Sequence, residues 1–354
     1  MAQRKYLDRY NISMQLSYKT IELDLEFTFA ISRSSSSSTR TVIVNLEHEG
    51  ILARGEAVYS RFYQETEESV TKFYDKIISE KTLDNLDPFN HQNFEARMLN
   101  LADGTNHQAA IAALDMALYD LRCKILKLPL YKYLGLDPKR CPPTSYTIGI
   151  ADLDTIRHKT ETALSRGYNI LKVKLGCPDD LKIIELVRSL APEATIRVDA
   201  NAAWDLKSAL SMVQELQRLD VEFVEEPLKL GTSTDDYATL FSASPIPLMA
   251  DESCHTLQDI SHCAKYFHSI NIKQGKSGGI TEALRMIAAA RALGLKIMLG
   301  CFTETSLSIA AFAHISPLVD YTDLDGSLLL AKDPHNCISF DKNRIVLSDR
   351  PGLG

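Results

Sequence analysis

Residues 170–174 read ILKVK, and RVDAN (197–201), VEFVEEP (221–227), LMADES (248–253) and NIKQGKSGG (271–279) follow at an even pace. Each contains a short run of strand-forming side chains that ends on a charge: Lys172 and Lys174 first, then Asp199, Glu225, Asp251 and Lys273. From Lys174 onward the successive spacings are 25, 26, 26 and 22 residues. The strands expected here are Ile170–Lys174, Ile196–Asp199, Val221–Glu225, Leu248–Asp251 and Ser269–Lys273. Working outward, Thr144–Ile148 precedes the set, and Lys296–Leu299 and Tyr321–Asp323 follow it. Eight runs repeating about every 23 residues have the period of βα units closing into a parallel barrel. Helical spacing fills the gaps, most plainly in ITEALRMIAAARA at 280–292. The final unit lacks a full helix, since the chain from Ser327 onward reads as polar strands and turns.

A length of 354 residues suits two domains, or one barrel with an addition. The 45% hydrophobic and 24% charged fractions are those of an ordinary globular protein, which excludes disorder, collagen and coiled coil. A net charge of −7 and the lack of any Lys/Arg-rich run leave no electrostatic footprint for nucleic acid. The seven cysteines show no C-x-x-C spacing, so a zinc knuckle and a redox motif are both excluded and a reducing compartment is expected. The opening MAQRKYLDRYNISMQL has no apolar signal-peptide core, and no segment approaches the roughly 20 apolar residues of a membrane span. The expected location is cytoplasmic.

Ahead of the barrel, Ile21–Phe29 alternates apolar and polar residues and Thr41–Leu46 is β-branched, so both read as strands. Between them Ser32-Arg33 and the serines 34–38, ending at Thr39-Arg40, read as a mobile loop. That loop is either a solvated hairpin connection or a lid whose Arg33 or Arg40 reaches a substrate anion. Helical spacing runs from Glu67 to Leu126 and is clearest over His107–Lys124, where Ala110, Ala112, Ala113 and Ala117 permit close packing. LGLDP at 134–138 and Pro142-Pro143 mark a boundary.

In a parallel barrel the C-terminal strand ends converge on one mouth. Asp199, Glu225 and Asp251 would therefore meet there, between flanking lysines. Three hard oxygen ligands without His or Cys suit Mg²⁺. Any one of these acids alone would read as a helix cap; three in consecutive units, level with lysines, read as a site. Strand parity puts Lys172 and Lys174 on one face, as it does Asp323 and Asp325, but does not choose between Glu225 and Glu226. Adjacent ammonium groups at Lys172 and Lys174 are expected to depress the pKa of one of them, which would suit a general base.

LKVKLG (171–176), RVDANAAW (197–204), VEEPL (224–228), ADES (250–253) and NIKQGKSGG (271–279) stand in the order seen in the enolase superfamily and resemble its muconate-lactonizing branch. ALDMALYDL and the early GEAVYSR also resemble that branch's capping domain, so the likeness covers nearly the whole chain. It implies an α/β fold: a (β/α)₇β modified TIM barrel with an α+β N-terminal capping domain. The domains would be a cap over 1–135 with a lid near 30–40, a barrel over 136–326, and a segment over 327–354 returning to the cap. By the same resemblance Mg²⁺ would be held by Asp199, Glu225 and Asp251, with Lys174 and Lys273 as acid/base lysines on opposite faces of the substrate. Lys172 would contact the substrate carboxylate and tune Lys174.

Branch members share this machinery across racemisation, cycloisomerisation and dehydration. The eighth strand, TDLDG at 322–326, carries Asp323 and Asp325 on one face and resembles dipeptide epimerases, in which such a pair holds the substrate's ammonium group. The expectation is a dipeptide epimerase inverting the C-terminal Cα of small Ala-containing dipeptides (Ala-Ala, Ala-Glu or Ala-hydrophobic) by two-base proton transfer through an enediolate. The alternative is an o-succinylbenzoate synthase or a muconate-type cycloisomerase; from a different class, a non-catalytic binding protein on the same barrel is disfavoured because both lysines and all three acids are present. Thr147 and Cys301 would line the pocket, and Arg33 lies near a family arginine that meets an acidic side chain. The partners expected are a small dipeptide and further copies of the chain in a homo-oligomer, with neither nucleic acid nor membrane. Gly275-Lys276-Ser277 lacks the earlier glycine of a phosphate loop, Ile270 standing in its place, and is set aside. Ser306 and Ser308 lack a nucleophile-elbow context, and Trp204 is expected to pack the barrel rim.

Overall fold

The computed structural model describes residues 14–354; the opening read for a signal peptide falls mostly outside them. Two long antiparallel strands, β1 (Gln15–Ile31) and β2 (Ser34–His48), pair with a short third, β3 (Ile51–Ala57), in the order β1-β2-β3. The serine run is therefore strand, not loop. Ser34, Ser35 and Ser36 pair with Ile31, Ala30 and Phe29, so the partner strand supplies the register that serine's weak β-preference does not. The pairing shifts between Asp24 and Phe29, where the hairpin bends.

The helical stretch resolves into three helices, α1 (Glu67–Ser79), α2 (His91–Ala102) and α3 (Gln108–Leu126). Thr66 and Ser69 form a reciprocal capping box at the start of α1. Helix α3 is buried on nearly all sides, and its alanines let β3 approach closely: a Cβ at Gly55 would lie 1.9 Å from the Ala113 carbonyl oxygen.

The barrel strands are β4 (Tyr146–Ile148), β5 (Ile170–Lys174), β6 (Thr195–Asp199), β7 (Val221–Glu225), β8 (Leu248–Ala250), β9 (Ser269–Lys273), β10 (Lys296–Gly300) and β11 (Tyr321–Asp323). They pair in sequence order, all parallel, and a parallel bridge from Thr144 to Thr322 joins the first strand to the last. Helices α4 (Leu153–Ser165), α5 (Asp180–Leu190), α6 (Leu206–Arg218), α7 (Thr234–Ala243), α8 (Ile260–Tyr266), α9 (Ile280–Ala292) and α10 (Ser306–Ile315) connect the strands. A hairpin of β12 (Ile338–Asp341) and β13 (Arg344–Leu347) follows the eighth strand.

Alternation along each strand layers the barrel interior. Phe223, Met249 and Met298 are buried together at the lower level, with the Arg197 guanidinium over the Phe223 and Tyr321 rings. Two residues further along those strands stand Asp199, Glu225, Asp251 and Asp323, so the apolar plug below fixes the height of the acids above.

Cap acids tie the two parts together by capping barrel helices. Asp115 on α3 accepts the Thr281 N–H at the start of α9, and Glu56 on β3 accepts the Thr305 N–H and hydroxyl at the start of α10. Gly279 belongs to this joint: its φ is +114°, and a Cβ there would come within 2.6 Å of Asp115. The chain end returns over the cap, the Ala331 N–H reaching the Asp24 carbonyl and the Leu353 N–H reaching Asp120. Among the described residues no helix is long and apolar enough to cross a membrane.

Candidate active site

Parallel register sets the charged strand ends at one level. Lys174 is the cross-strand partner of Asp199, and Asp199 of Glu225. Asp251 follows β8 directly. One carboxylate oxygen from each of Asp199, Glu225 and Asp251 lies within 4.8 Å of the other two, and all three residues are fully buried. Of the Glu225-Glu226 doublet, Glu225 joins this group. Glu226 instead accepts the Asp251 and Ser253 N–H groups and shapes the loop that carries Asp251.

The group has the character of a cation site. The buried Glu225 Oε2 accepts no hydrogen bond, although Lys172 Nζ lies 2.6 Å from it. Burial, and then the neighbouring Asp199, push the Glu225 carboxyl up to about 8. Crowded hard oxygens in a dry pocket are what a divalent ion such as Mg²⁺ neutralises.

Each lysine meets one of these acids. Lys174 Nζ donates to Asp199 Oδ2 and Lys273 Nζ to Asp251 Oδ2, both at 2.6 Å. Burial opposes the charge on Lys273, but Asp251 and Glu225 outweigh it and hold its pKa well above the usual lysine value. Lys174 is on the second barrel strand and Lys273 on the sixth, four strands apart in a ring of eight, so they face each other across the mouth.

Lys172 departs from expectation. It is wholly buried beneath the mouth, 2.7 Å from Asp323, 2.6 Å from Glu225 and 3.2 Å from Asp199. Burial works against its charge, yet Asp323, Glu225 and Asp199 together keep its pKa well above normal. Three carboxylates outnumber the one neighbouring ammonium of Lys174, so like-charge crowding does not lower Lys172.

A cavity of about 690 Å³ opens above these groups, between barrel and cap. Of the sequence candidates, Thr147, Lys174, Lys273, Cys301, Asp323, Asp325 and Arg33 line it; Lys172 and the three clustered acids lie deeper. Asp323 is occupied, accepting from Lys172 and from the Ser145 hydroxyl. Asp325 differs: it accepts the Thr147 N–H at 2.6 Å, and the Cys301 thiol lies 4.0 Å away. Burial, and then Asp323, raise the Asp325 carboxyl to about 7. Cys301 also accepts the Gly326 N–H, and burial, with Asp325, pushes its thiol well above the usual range, as befits a wall residue rather than a nucleophile.

Several residues at the site went unread in the sequence. Asn271 Nδ2 donates to Glu225 at 2.8 Å; it stands two before Lys273, so parity alone could have found it. Gly300 leaves room for it, since a Cβ there would meet the Asn271 amide at 2.4 Å. Lys276 Nζ donates to Asp251 Oδ1 at 2.5 Å and also to the Asp251 carbonyl. In the sequence it stands within Gly275-Lys276-Ser277, a pattern that does not announce this contact. Glu252 is paired with Arg33, a partner that no local pattern announces.

Two family models cover the chain: mandelate racemase / muconate lactonizing enzyme, N-terminal domain, over residues 18–135, and enolase C-terminal domain-like over residues 155–354. The L-Ala-D/L-Glu epimerase of Bacteroides thetaiotaomicron is 38% identical over 99% of this chain and 90% of its own length. A dipeptide epimerase from Enterococcus faecalis, solved with Mg and L-Leu-L-Tyr, superposes with a TM-score of 0.90 at 29% identity, covering 98% of this chain and 99% of that one. The N-succinyl Arg/Lys racemase of Bacillus cereus also reaches a TM-score of 0.90, at 28% identity, over 98% of this chain and 95% of its own. With this barrel, this acidic cluster and likeness along its full length, the chain belongs to the dipeptide epimerases of the enolase superfamily.

Proposed function

We propose that this enzyme inverts the Cα of the C-terminal residue of small Ala-containing dipeptides, the Ala-Ala, Ala-Glu or Ala-hydrophobic class, by a Mg²⁺-dependent two-base transfer of one proton. Asp199, Glu225 and Asp251 are the residues that would hold the ion. When bound, Mg²⁺ supplies positive charge to the substrate carboxylate as that group gains a second negative charge. Lys174 Nζ and Lys273 Nζ flank Cα: one takes its proton, leaving an enediolate, and the other returns a proton from the opposite face. Lys172 secures Asp323, Glu225 and Asp199 from below. Thr147 and Cys301 wall the pocket.

The choice of a dipeptide rests on Asp325. It is a buried carboxylate beside the cavity that makes no ion pair among the described residues, the Lys172 ammonium being paired with Asp323, Glu225 and Asp199 instead, and it is placed to receive an N-terminal ammonium. An anion without an ammonium, such as the substrate of an o-succinylbenzoate synthase or a cycloisomerase, would be repelled there. An N-succinyl group, the substrate type named for the Bacillus cereus neighbour, would set a carboxylate against it. The same reading makes the protein a cytoplasmic homo-oligomer, in keeping with seven free cysteines; sedimentation tests the assembly.

The deciding experiment is Mg²⁺-dependent exchange of the C-terminal α-proton for deuterium, followed by mass spectrometry on Ala-containing dipeptides. Exchange supports the reading; turnover of an o-succinylbenzoate precursor with no dipeptide exchange defeats it. Lys174→Ala and Lys273→Ala should each lower epimerisation by on the order of 10²–10⁴ while Mg²⁺ still binds. Unchanged rates would sink the two-base scheme.

A further inference from the structure

Three observations bear on which side chain the second residue of the dipeptide carries. First, Arg33 at the hairpin tip, expected to greet a substrate anion, is already engaged. Its Nη2 lies 2.5 Å from Glu252 Oε1, its Nη1 donates to the Asn201 carbonyl at 2.8 Å, and its guanidinium sits 4.1 Å from the Phe62 ring centroid. The carboxylate partner is almost fully buried, its side chain 1% exposed against 32% for Arg33, so the guanidinium is held at its inner end by a buried acid whose charge offsets its own.

Second, the strand register decides what the cap shows the cavity. Ser34, Ser36 and Ser38 line it while the intervening Ser35 and Ser37 do not, following the two-residue period of a strand, and Thr39 adds one more hydroxyl beyond them. Leu25, Phe29 and Ile31 on β1 line it too. The cap wall is thus apolar side chains and neutral hydroxyls. Arg61 also reaches the cavity, but it is solvent-exposed, where water and salt screen its pull on a substrate charge.

Third, the remaining points of attachment are assigned. With the carboxylate end at the acidic cluster, the ammonium at Asp325 and Cα between two lysines, the side chain on Cα has the cap side of the cavity left to enter.

We infer that the enzyme selects dipeptides whose C-terminal residue has an uncharged, mainly apolar side chain, and that Glu252, by holding Arg33, is the specificity-determining residue. This rests on the dipeptide reading above and narrows it. A charged side chain entering such a wall would lose its hydration with no opposite charge to replace it.

The test measures α-proton exchange by the Mg²⁺-loaded enzyme with L-Ala-L-Leu, L-Ala-L-Phe, L-Ala-L-Glu and L-Ala-L-Lys. Wild type should favour the Leu and Phe dipeptides over the Glu and Lys ones by about tenfold or more in kcat/KM. Glu252→Gln removes the charge that occupies Arg33, and should raise the Glu-to-Leu ratio about tenfold. Arg33→Met leaves Glu252 unpaired, and should raise the Lys-to-Leu ratio instead. Because each ratio is taken on one preparation, partial loss of folded protein cancels. A wild-type preference for Ala-Glu or Ala-Lys overturns the inference, as does either variant keeping the wild-type ratio. Exchange with none of the four dipeptides is a separate result, and it defeats the dipeptide reading itself.

Discussion

Asp325 and Asp323 are two residues apart on one strand face, yet their surroundings give them different work. Asp323 is neutralised by Lys172, whereas Asp325 has a backbone N–H and a raised pKa of about 7. An ammonium is attracted by the ionised form. Dipeptide affinity should therefore weaken as pH falls through about 7 and Asp325 takes up a proton. The groups that face it are Asp323, Lys172 and the Thr147 and Cys301 contacts. A KM profile from pH 5.5 to 8.5 should show this limb. Asp325→Asn should remove it and cost on the order of 100-fold in kcat/KM. A profile indifferent to the substitution would take the ammonium away from Asp325.

At the scale of elements, the joint between β3 and α10 carries a pH signature in stability. Burial raises Glu56 to about 7, although hydrogen bonds from Thr305 oppose the rise. A carboxyl raised in the folded state leaves stability intact below its unfolded value, near 4.5, and costs stability as pH climbs through about 7. Glu56→Gln has no charge to bury. Its melting temperature relative to wild type should therefore climb between pH 5 and pH 8, and a constant difference would contradict the shift. At the neighbouring joint, Gly279→Ala meets both a left-handed φ and the Asp115 carboxylate. It should lose about 1–3 kcal/mol in urea unfolding.

Over the whole molecule, Mg²⁺ bound by the folded chain alone should add about 2.7 kcal/mol at 100 times its Kd. Thermal melts with and without the ion check this, and Asp251→Asn should abolish the gain. Much of this architecture was legible because a barrel repeats: charges at 25- and 26-residue intervals mark strand ends without any knowledge of contacts. The strands β5, β7, β9 and β11 begin and end where the sequence places them. Illegible features depended on distant partners. The serine strand borrows its register from β1. Lys172 is enclosed by acids from three other strands. Arg33 finds Glu252 across 219 residues. No window of sequence holds both halves of such a pair.

The cap acids that seat on barrel helices constrain how this enzyme can be remodelled. A chimera that grafts a relative's whole cap to import its substrate range would keep both joints only if position 56 still offers an acceptor to Thr305 and position 115 one to Thr281. Donors lacking those two carboxylates should yield proteins that open at the seam before they fail at the catalytic floor.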